Sequence, residues 1–250
     1  MYVDTHCHVI SEYYNNIEDV LICARENGVE KIIVNGYDLK SNLEVLELAK
    51  RYDMIYAAIG FHPSELESFD YNFLRNCILN DKVVAIGEIG LDYHYDSDND
   101  TKEKQISIFK KQLELAIEFN KPVIIHARDS IMDIYNVICS YNNIQGVLHC
   151  YSGSLEMAKL FINKGLLLGV GGVVTFENAK TIKDVVKCID LNHFLLETDS
   201  PYLTPVPYRG RTNEPSYIPL IAKAVADLKG VDVSVVSEVT TNNARRIFDF

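Results

Sequence analysis

No apolar run in this 250-residue sequence approaches the ~20 residues needed to cross a bilayer, which excludes a helical membrane span. The N-terminus carries an acid at Asp4 and no basic stretch ahead of an apolar segment, so it lacks the pattern of a secretory signal. Together these absences predict a soluble, cytoplasmic protein. The six cysteines, Cys7, Cys23, Cys77, Cys139, Cys150 and Cys188, contain no C-x-x-C pair. Thiolate zinc ribbons and paired-thiol redox chemistry are thereby excluded, and reduced structural thiols are expected. Cations are also in the minority, with 24 Lys and Arg against 35 Asp and Glu and a formal net charge of −11. That balance argues against a general nucleic-acid coat, whose nonspecific affinity needs broad cationic surfaces. It leaves a phosphodiester substrate open, because divalent cations and a few arginines in a cleft make the local potential positive beneath an acidic surface. No low-complexity tract is present, and the only repetition is an alternation of strand-like and helix-like segments.

That alternation is the main structural signal. Strand-like runs begin at Met1 to His8 and continue at Val29 to Asn35, Met54 to Gly60, Val83 to Asp92 and Pro122 to Arg128. Three more follow, at Gly146 to Gly153 with its outgoing turn included, at Leu166 to Gly172 and at Phe194 to Asp199. Between them lie helical patterns: Ile17 to Glu26, a segment capped by Ser41 and Glu44, Phe73 to Leu79, and a long helix capped by Asp100 and Glu103 that reaches Phe119. Ser130 to Tyr141, Ser154 to Lys164 and Asn178 to Cys188 are helical too, with Ile218 to Leu228 and Ser234 to Phe248 closing the chain. Eight strands alternating with helices predict a parallel (β/α)8 TIM barrel, a single domain over residues 1–250, with its active face at the C-terminal ends of the strands. The Pro-rich segment from Pro201 to Pro215 is expected to form a stiff loop beside that mouth.

Chemistry-bearing residues fall at those strand ends. His6 and His8 flank Cys7, and alternate residues of a strand share a face, so both imidazoles point the same way. Glu88 interrupts a nearly continuous apolar run, where an ionised carboxylate is costly unless it is paired or bound to metal. His126, His149 and Asp199 end three later strands. Core histidines satisfied by backbone would explain one or two of these six positions but not all of them. Six candidate ligands suit two divalent ions: His6, His8 and Asp199 on one, His126 and His149 on the other, and Glu88 as the bridge. Such a pair activates a water nucleophile, and Asp199 is placed to accept its proton.

Other residues complete the expected site. His62, in Gly60-Phe61-His62-Pro63, stands rigidly at the rim as a substrate contact, and Arg128 shares a face with His126 and suits bidentate phosphate binding. Arg209 and Arg211 are further phosphate candidates. Asp4 and Glu197 lie two residues deeper than ligands of the same parity, which suggests acceptors for the imidazole N–H groups.

The motifs carrying these residues resemble those of the TatD family of metal-dependent deoxyribonucleases, within the amidohydrolase-like barrels. They are Val3-Asp4-Thr5-His6-Cys7-His8, Gly60-Phe61-His62-Pro63, Gly87-Glu88-Ile89-Gly90-Leu91-Asp92, His126-Ala127-Arg128, His149-Cys150-Tyr151-Ser152-Gly153, Glu197-Thr198-Asp199-Ser200-Pro201 and Arg209-Gly210-Arg211-Thr212-Asn213-Glu214-Pro215. The resemblance implies hydrolysis of DNA phosphodiesters, typically from the 3′ end of single strands, with RNA as a possible substrate. It implies metal binding at His6, His8, Glu88, His126, His149 and Asp199, and phosphate contacts at His62 and Arg128. Four imidazoles favour Zn, Mn or Fe by ligand type, whereas the resemblance implies activity with Mg. Two competing expectations are a small-molecule amidohydrolase or deaminase, which often bridges its metals with a carbamylated lysine where Glu88 stands here, and a noncatalytic metal-stabilised scaffold. Oligomeric state has no signature in the sequence.

Overall fold

The eight apolar runs pair in chain order into one parallel sheet. The strands are β1 (Tyr2–Cys7), β2 (Val29–Asn35), β3 (Ile55–Ile59), β4 (Val83–Asp92), β5 (Val123–Arg128), β6 (Gly146–Leu148), β7 (Leu166–Val170) and β8 (Phe194–Leu196). The structure, a computed structural model, describes residues 1–94 and 98–250. The middle of the polar loop expected between Tyr93 and Asp100 lies outside the described residues.

Helices α1 (Ile17–Glu26), α2 (Leu39–Arg51), α3 (Tyr71–Cys77), α4 (Asn99–Glu118), α5 (Ile131–Cys139), α6 (Leu155–Asn163) and α7 (Lys180–Cys188) connect successive strands, and α8 (Ile218–Lys229) and α9 (Val233–Phe248) follow β8. The result is a nearly closed (β/α)8 TIM barrel, as the alternation predicts. Among the described residues no helix is long and apolar enough to cross a membrane.

The two expected capping pairs are both displaced. Asp38 caps α2, accepting from Ser41 N at 2.7 Å while Ser41 Oγ receives the Asp38 N–H at 3.0 Å. The capping box is therefore Asp38 with Ser41, one turn earlier than Ser41 with Glu44, and Glu44 instead accepts from Ser11 N. Likewise Asp98, not Asp100, caps α4, accepting from Thr101 N at 2.9 Å.

The barrel seam lies between β1 and β8, where the regular ladder stops. Asp4 closes it: Oδ1 accepts from Thr198 N at 3.0 Å and Oδ2 from Thr198 Oγ1 at 2.6 Å. Thr5 Oγ1 donates to Leu196 O at 3.0 Å, and the amides of Asp199 and His8 donate to His6 O and Ser200 O at 2.9 and 2.7 Å. These bonds carry the chain past the short β8 and set the C-terminal mouth.

Beneath the mouth, strand parity places apolar side chains one layer below the ionisable ones. Ile124 precedes His126 by two residues, Val147 precedes His149 by two, and Leu195 shares its parity with Asp199. All three are buried in one cluster with Ala244 and Phe248 of α9, so apolar packing separates the mouth from the end of the chain.

Candidate metal centre

At the C-terminal mouth the six expected ligands meet. His6 lies in β1 and Glu88 in β4, His126 lies in β5, and His8, His149 and Asp199 lie just past the ends of β1, β6 and β8. Cys150 and Asp199 adopt left-handed backbone angles, with φ of 45° and 56°, which turns the chain out of the strand direction beside the site.

Glu88 is the centre of the cluster. Its Oε2 is 3.6 Å from His6 Nε2 and 3.4 Å from His8 Nε2. Its Oε1 is 2.9 Å from both His126 Nδ1 and His149 Nε2. Asp199 Oδ1 stands 3.5 and 3.8 Å from His6 Nε2 and His8 Nε2. One carboxylate thus faces two pairs of imidazoles through different oxygens. His6 and His149 also stack, with ring centroids 3.9 Å apart.

Hydrogen bonding sets which nitrogen of each ring faces inward. His8 Nδ1 is 3.0 Å from the Asn35 carbonyl oxygen, so Nδ1 carries a proton and donates it there, which turns Nε2 toward Glu88. His126 Nε2 is 3.0 Å from Asp92 Oδ2, which turns Nδ1 toward Glu88 and His149. Facing nitrogens come close, with His6 Nε2 and His8 Nε2 3.3 Å apart and His126 Nδ1 and His149 Nε2 3.1 Å apart. Opposed lone pairs at that spacing need a shared proton or a cation, and carboxylate oxygens surround both pairs. The donor set fits divalent metal, with His6, His8 and Glu88, His6, His149 and Asp199, and His62, Glu88 and His126 each able to hold an ion.

The electrostatics agree with this arrangement. Burial alone would lift the Glu88 carboxyl, but the facing His149, His62 and His6 rings and the bond from His126 outweigh it and hold Glu88 well below the usual carboxylate range. Burial opposes a charge on His126 too, yet its bonds to Asp92 and Glu88 raise it to about 9. Burial and the neighbouring His149 keep His6 well below its ordinary value.

His62 is placed more deeply than a rim residue. Its Nε2 lies 3.7 Å from Glu88 Oε1, and its ring is edge-on to His126 at 4.5 Å. The Ser64 amide donates to His62 Nδ1 at 3.1 Å, which fixes the proton on Nε2. Burial pushes His62 down to about 4, so at neutral pH it is an uncharged ring with an N–H aimed into the site.

Arg128 ends β5 in register with Asp92 and is exposed. Arg209 lies apart from the cluster in the loop after β8, its guanidinium 3.7 Å over the Phe176 ring. Arg211 lies over Tyr208 at 5.3 Å.

The two deeper acids do not act as expected. Among the described residues Asp4 bonds no imidazole: its carboxylate accepts from Thr198 and from the His6 backbone amide, and the buried His6 Nδ1 has no hydrogen-bond partner. Glu197 Oε1 accepts from Cys150 N and lies 4.0 Å from His149 Nδ1, beyond hydrogen-bonding distance. Gly169 makes room for it, since a Cβ there would fall 2.3 Å from Glu197 Oε2.

Asp92 is the acceptor that sequence reasoning passed over. Its parity with Glu88 was the available signal, but its partner depends on the β4–β5 register, which pairs Gly90 with His126. Gly90, at φ 145°, permits that approach, because a Cβ there would sit 2.0 Å from the His126 carbonyl oxygen.

With this geometry in view, residues 3–249 match the family model described as TatD related DNase. The chain is 41% identical to the uncharacterized metal-dependent hydrolase YabD of Bacillus subtilis, covering 99% of each sequence. It is 35% identical to the uncharacterized metal-dependent hydrolase YcfH of Escherichia coli, over 98% of this chain and 95% of the relative. The crystal structure of YjjV, a TatD homolog from Escherichia coli, matches with a TM-score of 0.93 at 32% identity, over 100% of this chain and 98% of the other.

Proposed function

The chain belongs to the TatD family of metal-dependent hydrolases, and from that premise we propose that it is a deoxyribonuclease removing nucleotides from the 3′ end of single-stranded DNA. The observation that carries this reading is the division of Glu88, whose Oε2 faces His6 and His8 while Oε1 faces His126 and His149. Two half-sites sharing one carboxylate suit an in-line displacement at phosphorus.

In this reading His6, His8 and Asp199 would hold one divalent cation and His126 and His149 another, with Glu88 shared between the two half-sites. Mg, Mn or Zn bound there would supply the positive charge that acidifies a water and offsets the charge of the phosphodiester. Asp199 accepts the water's proton on a carboxylate oxygen. His62 donates a hydrogen bond from Nε2–H to a nonbridging phosphate oxygen, a role that its fixed tautomer and neutral state support. Arg128 clamps the same phosphate by bidentate bonds, and Arg209, held over Phe176, meets a neighbouring phosphate of the strand. With so few cations on a chain of net charge −11, strand binding should weaken only modestly with salt.

The test is incubation with a 5′-labelled single-stranded DNA oligonucleotide and added Mg or Mn, with Asp199→Asn in parallel to exclude a contaminating nuclease. A ladder shortening from the 3′ end, absent in the variant, is the expected result. An intact oligonucleotide with every metal overturns the nuclease reading and turns attention to RNA and then to cyclic amides and small phosphoesters.

A further inference from the structure

Three tyrosines that the hydrolytic chemistry leaves unused meet beside His8. Tyr13 follows β1, Tyr37 follows β2 and Tyr202 follows β8, so three separate loops deliver them to one sector of the mouth. Tyr37 and Tyr202 stand edge-on to the His8 imidazole, with centroids 5.6 and 6.5 Å away and interplanar angles of 74° and 67°. Tyr202 is also edge-on to Tyr13, at 5.9 Å and 69°. Their hydroxyls form a chain: Tyr202 donates to Tyr13 at 3.2 Å, and the Tyr13 and Tyr37 oxygens are 3.3 Å apart. Burial raises all three phenols, Tyr37 to about 12, so the chain stays protonated and uncharged at neutral pH.

Exposure separates Tyr202 from its partners. It is 51% exposed, whereas every other described Tyr and Phe is buried or partly buried. An aromatic ring left half open to water at the mouth of a polar site costs burial that packing would otherwise supply. A half-open ring of this kind is what base-stacking sites on single-stranded nucleic acids use, since every base has a π-face. The ring stands edge-on to His8, 6.5 Å between centroids, so the open face borders a candidate metal ligand directly.

Resting on the nuclease reading above, we propose that Tyr202 is a stacking platform for the nucleobase next to the phosphate under attack, with Tyr13 packed edge-on to support its ring. Recognition by a π-face makes the subsite tolerant of base identity. It also makes the base, more than the backbone, the group that holds the strand end in place.

Two 5′-labelled single-stranded oligonucleotides test this, identical except that one ends at its 3′ side in an abasic tetrahydrofuran nucleotide. KM and kcat for that terminal residue are measured for the wild-type protein, Tyr202→Ala and Tyr202→Phe. On the normal strand Tyr202→Ala should raise KM on the order of 5- to 150-fold with kcat little changed, while Tyr202→Phe keeps the wild-type KM. On the abasic strand all three proteins should share one high KM. If Tyr202→Ala costs the same on both strands, or if Tyr202→Phe loses as much as Tyr202→Ala, the side chain acts through loop structure or the hydroxyl chain and the platform is wrong. A wild-type protein that cleaves both strands with equal KM removes the platform and leaves the nuclease standing. One that cleaves neither removes both.

Discussion

Asp92 Oδ2 lies 3.0 Å from His126 Nε2, and the opposite nitrogen of the same ring lies 2.9 Å from Glu88 Oε1. One imidazole is thus held between two carboxylates, the outer one fixing the tautomer and the inner one sharing its candidate ion. Outer partners of this kind typically contribute 10–100-fold to metal affinity. Asp92→Ala should therefore weaken divalent binding by about that factor while leaving the fold intact, because Asp92 sits at the rim end of β4. Metal titration followed by calorimetry measures it. Unchanged affinity would show that His126 is oriented by packing alone.

The same pair makes metal binding pH-dependent. His126 is raised to about 9 in the folded protein, above the ordinary value of about 6.5 for an exposed ring. The stabilisation that its proton brings to the metal-free protein is therefore complete below about 6.5 and is lost as pH rises through about 9. A ligating ring must be neutral, so binding at pH 7 should release about one proton from His126, and affinity should climb up to tenfold per pH unit toward 9. Calorimetry at pH 7 in two buffers of different ionisation enthalpy checks this. Identical apparent enthalpies would mean that His126 is already neutral or does not ligate.

Glu88→Ala removes the one group that faces both imidazole pairs. If Glu88 is shared by two ions as proposed, both should then be lost together, and elemental analysis of the purified variant should find little of either. Full retention of both would rule out a bridging Glu88.

Strand parity and the cost of a buried carboxylate were enough to pick out the six clustered residues. His6 and His8 share a face because β1 is extended, and Glu88 stood out because it interrupts an apolar strand. His149 and Asp199 were less fully legible: they lie past the ends of β6 and β8, beside the left-handed angles of Cys150 and of Asp199 itself, which no residue pattern announces. Partner choice was the least legible. Whether Asp92 meets His126 depends on the β4–β5 register, and whether Asp4 meets an imidazole or Thr198 depends on how the first and last strands close. The tyrosine chain likewise joins residues 24 and 189 positions apart, a separation over which no local pattern operates.

The seam itself yields the last prediction. Asp4 bonds both the amide and the hydroxyl of Thr198 where β1 and β8 lack a regular ladder, so its removal leaves buried donors without partners. Asp4→Ala should cost about 1–3 kcal/mol. Burial nevertheless lifts the Asp4 carboxyl to about 7, against the bonds from Thr198, compared with about 3.9 when unfolded. In the metal-free protein the folded state thus holds a proton that the unfolded chain releases between about pH 4 and 7. Asp4 supports the fold most at the acid end of that window and progressively less as pH rises through 7. Asp4→Asn keeps an acceptor for the Thr198 amide without the charge, so it should gain on the wild type between pH 5 and pH 8. Urea unfolding with chelator present, at both pH values, tests this directly. Asp4→Ala should have the lower midpoint at pH 5, and an unchanged midpoint there would mean that the seam is held by the Thr5 hydroxyl and the backbone bonds of His6 and His8 without Asp4.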